Sequence, residues 1–271
     1  MNRKKLCKRL SAAVLAGTML CTSVTAPKAA TVDISPSKGI TTMSSMLPLS
    51  TNVKKLSLTV NSSDGQRTYN IFAQRKINDK YVKLHGCAVS SLTTVLSAYS
   101  SRYAKYTPVN TYQKLEKKVF GKKAWKRNYN RRRMPVSLNG ITKILKRNGI
   151  KATYVRKFKN AKAVAQIENH LRQGKPVIIE VDSRRQINGR RVGGYTHKWA
   201  RSKHTMVLIG MTDTGKVIIA DSAQRSWSGQ MQRVKYAKMA SLVTYMYPCT
   251  SNRKTNYYSS KSTSGGYILV N

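Results

Sequence analysis

The chain has 271 residues, 40% of them hydrophobic, which is enough for one full domain whose core does not depend on disulfides. Its 51 Lys and Arg against 9 Asp and Glu give a formal charge of +42, more than solubility asks and suited to polyanions such as nucleic acid, anionic lipid or cell-wall polymers. The sequence shows no internal repeat, no phosphate-cradling glycine loop and no ligand spacing of a closed zinc site, so no metal or cofactor is expected.

Residues 1–30 run from the charged MNRKKLCKRL through the mostly apolar SAAVLAGTMLCTSV to the small residues of TAPKAA, the order of a secretory signal. The apolar part is too short for a comfortable membrane span, so the expectation is cleavage between Ala26 and Ala30 and a secreted or wall-associated protein without stable membrane insertion. Two thiols, Cys87 and Cys249, then remain, and one disulfide between them is open as a use outside the cell. The chain left after cleavage is still strongly basic.

Residues 31–65, rich in Ser, Thr, Pro and Gly, read as a linker or lead-in. TYNIFAQ is a predicted strand, followed by a polar loop, RKINDKYVKLHG. A helix begins at Cys87, with Ala88, Val89, Leu92, Val95, Leu96 and Tyr99 forming an apolar stripe. VSLNGITKILKRNGI is a second amphipathic helix with Gly149 at its stop, after a very basic stretch that includes KKAWKRNYNRRR. AVAQIENHLRQGKPVIIEV gives a helix, a break and a strand, and KHTMVLIGM, TDTG and KVIIADSA give two strands around a tight turn. Helices first and strands later indicate an α+β domain over residues 66–248, with residues 249–271 a tail in which only YILV has strand character.

Four residues carry the candidate chemistry. Cys87 stands at a helix N-terminus, where partial positive charge favours the thiolate, and about 140° round the helix from the centre of the apolar stripe. Of the four histidines, His170 reads as a solvated helix residue, His85 as too close in sequence to turn back on Cys87, and His197 as part of a Gly- and Arg-rich loop. His204 opens a strand and is the best-placed base. If TDTG is a four-residue hairpin loop, Met211 pairs with Lys216 and Asp221 falls opposite Met206, one diagonal step from His204 on the same face. Gln74 is the candidate donor to a developing oxyanion, ahead of Asn78.

The order Gln74, Cys87, His204, Asp221, with FAQRK, HGCAVSSLTTVLSAY, LRQGKPVIIEV, KHTMVLIGM and VIIADSA, resembles papain-fold cysteine peptidases. The likeness is greatest to secreted relatives of the double-glycine leader peptidase domains of bacteriocin export transporters, in which Asp follows the strand-opening His by some seventeen residues. The resemblance implies a papain-like fold with a Cys-bearing helix packed on an antiparallel sheet, Cys87 as nucleophile, His204 as base, Asp221 as its orienting acid and Gln74 as oxyanion donor. The chain departs from that pattern after the cysteine, with Ala88-Val89-Ser90 for Gly-Pro-Thr, and in Ser222 after the aspartate.

The resulting expectation is an exported, monomeric bacterial thiol hydrolase acting on a peptide or protein. The alternatives are a peptidoglycan amidase or endopeptidase held by anionic wall polymers, and a catalytically inactive binder of polyanions. For the binder, the aromatic-interleaved KKAWKRNYNRRR also admits nucleic acid as a less favoured partner.

Overall fold

The computed structural model describes residues 54–62, 65–128, 135–182, 203–223, 233–250, 257–258 and 265–271, and short strand pairings at 30–32, 34–35, 40–41, 50–51, 186–187, 190–191 and 231–232 in backbone alone. Strands β1 (Lys55–Ser62) and β2 (Gly65–Phe72) form an antiparallel hairpin. Then come helices α1 (Lys80–His85) and α2 (Cys87–Tyr99). A run of short helical turns from Pro108 to Arg127 leads to α3 (Leu138–Arg147). The rest is β3 (Ala152–Val155), α4 (Asn160–Arg172), β4 (Val177–Asp182), β5 (Lys203–Thr212), β6 (Val217–Ala220), β7 (Val234–Ala237) and β8 (Tyr267–Val270).

The main sheet has the order β7-β6-β5-β4-β8-β3 with antiparallel neighbours. Its strands read as continuous apolar runs, not as alternating ones, because both faces are covered. Ile178, Val207, Ile209, Ile218 and Ile268 pack with Leu92, Val95 and Leu96 of α2 and Ile141, Ile144 and Leu145 of α3. On the other face Val177, Ile179, Met206, Leu208 and Ile219 pack with Ala163, Ile167 and Leu171 of α4. Among the described residues no helix is long and apolar enough to cross a membrane.

Several sequence expectations change. The polar loop before Cys87 contains α1, started by Asp79, whose carboxylate accepts from Val82 N at 2.9 Å. Helix α2 is covered on the side read as open as well as along its apolar stripe: Ser90, Ser91, Thr93, Thr94 and Ser97 are buried too. Apart from that of Ser90, which has no partner among the described residues, their hydroxyls make this tolerable, with Thr94 Oγ1 donating to Asn70 O (2.8 Å) and Ser97 Oγ accepting from Asn70 N (2.9 Å). His170 is no surface residue, since it is buried with Nε2 2.9 Å from Val270 O. The lead-in contributes β1, which puts Leu58 and Val60 into the core. The segment read as a tail supplies β8, a strand hydrogen-bonded on both sides.

The β5–β6 hairpin differs in a way that cancels itself. Its loop has three residues, Asp213 to Gly215, with Gly215 at φ 73° and Thr212 N donating to Lys216 O at 2.7 Å. Met211 therefore pairs with Val217, not Lys216, but a bulge between Leu208 and Gly210 shifts the register back to Leu208↔Ile219 and Val207↔Ala220. Asp221 follows one step later, where the four-residue loop had also put it.

Candidate active site

Cys87 is the first residue of α2, directly after Gly86, which closes α1 by donating N–H to Val82 O at 2.9 Å. The junction has no room for a side chain: a Cβ on Gly86 would lie 2.3 Å from Val82 O and 2.8 Å from Val82 Cα. One turn on, Ser91 Oγ donates to Thr205 O at 3.1 Å, fastening α2 to β5 beside His204. Cys87 is half-buried, with Sγ 4.0 Å from Thr205 Oγ1 and near enough to His204 for the imidazole to act on the thiol. Burial alone would push this thiol up; the hydrogen bond and charge of His204 outweigh it, and the thiol is lowered.

His204 is buried, and its Nε2 meets Asp221 Oδ1 at 2.7 Å, which leaves Nδ1 as the nitrogen for the cysteine. Burial would lower the imidazole, but Asp221 and then the Cys87 sulfur outweigh it, so the ring is pushed up to about 10. Asp221 has no exposed surface. Burial would raise it, yet Lys235 and His204 hold it well below the usual carboxylate range. Besides His204, its Oδ1 accepts from Ala223 N at 2.9 Å, and its Oδ2 accepts from Lys235 Nζ.

Gln74 lies in a 3₁₀ turn, Gln74–Lys76, that follows β2. Its backbone N donates to Ser222 O at 2.9 Å, which ties this turn to the residue after Asp221. Its buried carboxamide donates from Nε2 to Lys83 O at a long 3.4 Å, and Oε1 has no partner among the described residues. Asn78, the weaker candidate, is exposed. Thus Cys87, His204 and Asp221 meet at one end of the sheet and Gln74 is anchored beside them. His85 stays with Tyr81 (ring centroids 6.2 Å apart), and His197 lies outside the described residues.

Cys249 is buried and bonds through its backbone N to Arg156 O, and neither it nor Cys87 is in a disulfide, so the two are not bridged to each other. Sequence reasoning missed Ser91, Arg233 and Lys235. Arg233 is fully buried and its Nη1 reaches Phe72 O (3.4 Å) and Ser222 O (3.3 Å), clamping the approaches to Gln74 and Asp221 together.

A helix led by a cysteine, packed on an antiparallel sheet that carries a His–Asp pair, defines a papain-like α+β fold with the makings of a thiol-hydrolase centre. The chain belongs to the Peptidase_C39 like family, whose model matches residues 67–253, so it is a member of a cysteine peptidase family with peptide or protein as substrate class. No curated protein matches the sequence significantly.

Proposed function

We propose that the protein is an exported cysteine peptidase in which Cys87 is the nucleophile, His204 the general base and acid, Asp221 the group that orients His204, and Gln74 an oxyanion donor. The observation that carries the reading is the buried His204–Asp221 pair, 2.7 Å from Nε2 to Oδ1, on a ring close enough to the Cys87 thiol to lower it. His204 takes the Cys87 proton, and the thiolate attacks the substrate carbonyl. The oxyanion is met by the Cys87 backbone N–H and by Gln74 Nε2, whose present bond to Lys83 O is long enough to exchange for it. His204 then protonates the leaving amine, and water activated by the same ring releases the acyl group. Export rests on the signal-like pattern of residues 1–30.

The test is the rate of Cys87 alkylation by iodoacetamide against pH, together with turnover of peptides and of purified cell-wall fragments. A fast reaction at neutral pH that His204→Ala slows at least tenfold, and hydrolysis lost in Cys87→Ala with the fold intact, are expected. A slow alkylation indifferent to His204→Ala refutes the reading.

One observation favours the wall-polymer version of the substrate. A cleft of about 440 Å³ just beyond the Gln74 turn is lined by Lys54, Lys55, Lys76 and Lys105 around Phe72 and Tyr106, with no carboxylate among its lining residues. Four ammonium groups on a concave surface suit a substrate embedded in, or attached to, an anionic polymer. Faster turnover of wall fragments than of neutral peptides, with the difference removed by high salt, is the corresponding result.

A further inference from the structure

We infer that Lys235 is a positioning residue of the catalytic centre: its ammonium fixes the Asp221 carboxylate and holds the proton affinity of His204 below the level Asp221 alone would set. The inference rests on the triad proposed above and concerns a residue on neither side of the Cys87–His204 contact.

The geometry leads to it directly. Asp221 has two oxygens with distinct tasks: Oδ1 faces His204 Nε2 (2.7 Å) and Ala223 N (2.9 Å), while Oδ2 is taken by Lys235 Nζ. The cross-strand pair Ile219↔Lys235 places this lysine on the strand beside the one that leads into Asp221. Its side chain is only 6% exposed and that of Asp221 is 0% exposed, so water screens the pair little. A lysine buried this deeply is rare unless its charge is matched, and the match here is the carboxylate that also orients the imidazole.

Two consequences follow. With Oδ2 held, the carboxylate cannot rotate away from His204, and the ring keeps Nδ1 toward the thiol. A cation on the far oxygen also opposes the stabilisation that Asp221 gives the imidazolium, because a like charge nearby disfavours the protonated ring. A His204 that kept its proton too firmly would serve poorly as the acid that protonates the leaving amine, so the lysine brings the ring closer to the working pH. The other charged and titratable groups gathered here are Cys87 from α2, Arg233 just before β7, and the Glu180–Lys203 pair across β4 and β5, and none of them is changed in the test below.

The test follows the imidazole ¹⁵N resonances of His204, assigned by their loss in His204→Ala, through a pH titration of the full chain, its Lys235→Met variant and its Lys235→Arg variant. The expected result is a His204 midpoint about one pH unit higher in Lys235→Met, a tenfold tighter hold on the proton, with Lys235→Arg close to the parent. The acid limb of Cys87 alkylation moves less, since the thiol is the more distant group. A folded Lys235→Met whose His204 midpoint is unmoved overturns the inference, because a lysine that only fills space does not alter a titration. If Lys235→Met does not fold, the parent decides: the ¹⁵Nζ resonance of Lys235 must shift over the same pH interval in which His204 titrates, and an Nζ signal blind to that interval overturns the inference equally. Slow alkylation of the parent that His204→Ala leaves unchanged removes the triad itself, whereas a normal triad with an unmoved midpoint removes only the role of Lys235.

Discussion

Replacing Asp221 by Asn keeps the shape of the side chain and removes the negative charge against which the Lys235 ammonium is buried. The new amide also turns an N–H₂ toward former donors, either His204 and Ala223 N or Lys235. Breaking a buried ion pair by deleting one partner costs about 3–5 kcal/mol. The chain has an escape that sets a ceiling: Lys235 can give up its proton, and for a lysine of ordinary pKa about 10.4 at pH 7 that costs roughly 4.6 kcal/mol, at 1.36 kcal/mol per unit. The two routes agree on a loss of about 3–5 kcal/mol at pH 7. The ceiling also gives the sign of the pH dependence. In the variant the unfolded chain holds a proton that the native state has lost, so stability rises with pH by about 1.4 kcal/mol per unit until the ordinary lysine value is reached. At pH 9 the loss relative to the parent is therefore smaller by roughly 2–3 kcal/mol. Urea unfolding of the parent, Asp221→Asn, Lys235→Met and the double variant at both pH values measures this, and the double variant is expected to be at least about 2 kcal/mol more stable at pH 7 than Asp221→Asn. An Asp221→Asn loss equal at pH 7 and pH 9, with the two substitutions simply additive, would refute the claim that the charges are coupled.

Three further outcomes follow from buried groups and close contacts. Glu116 is buried, its Oε1 has no partner among the described residues, and burial pushes its carboxyl up to about 8. A raised folded pKa gives stability that is whole below the unfolded value near 4.3 and is lost as pH rises through 8, at about 1.4 kcal/mol per unit. Glu116→Gln is thus expected to flatten the fall in urea midpoint between pH 5 and 8 and to be the more stable protein at pH 8, while parallel curves would count against it. Gly86→Ala drives a Cβ into the Val82 backbone, 2.3 Å from its oxygen, and is expected to cost about 1–3 kcal/mol and slow Cys87 alkylation; unchanged unfolding and alkylation would show that the junction can move. Deleting residues 265–271 removes β8, whose buried Tyr267, Ile268, Leu269 and Val270 account for on the order of 10 kcal/mol of burial. That rivals the whole stability of a domain, so a cooperative thermal transition in the shortened chain would contradict the central place of the strand.

The elements with strong periodicity were legible. The Cys87 helix, the helix ending before Gly149, the Asn160–Arg172 helix and the strands at 177–182, 203–212 and 217–220 lie where apolar spacing and Gly or Pro punctuation put them. What was not legible depended on partners distant in sequence. Nothing local says that YILV will be inserted between β3 and β4, or that β1 will emerge from a Ser- and Thr-rich lead-in, because each is fixed by a strand it meets only after folding. The burial of the serines and threonines of α2 was hidden for the same reason: the bonds of Ser91, Thr93, Thr94 and Ser97 go to Thr205, Thr111 and Asn70, on other segments.

The site divides along the same line. The place of Cys87 at a helix start and of Asp221 beside His204 could be read because a helix start and a strand register are local patterns, and the register survived a misjudged loop only because a bulge restored it. Lys235 and Arg233 could not, since among 51 basic residues a Lys or Arg in a strand looks like one more solvated charge. The informative residues in such a chain are the nine acids. Asp221, Glu180 and Glu116 are buried, and the first two hold cations there, Asp221 with Lys235 and His204 and Glu180 with Lys203. A buried carboxylate must gather hydrogen bonds and positive charge to stay ionised, so Asp221 and Glu180 each mark a place where distant parts of the chain are drawn together. In a protein this basic, asking which cations each scarce acid collects is the shorter route to its chemistry than asking what its many cations do.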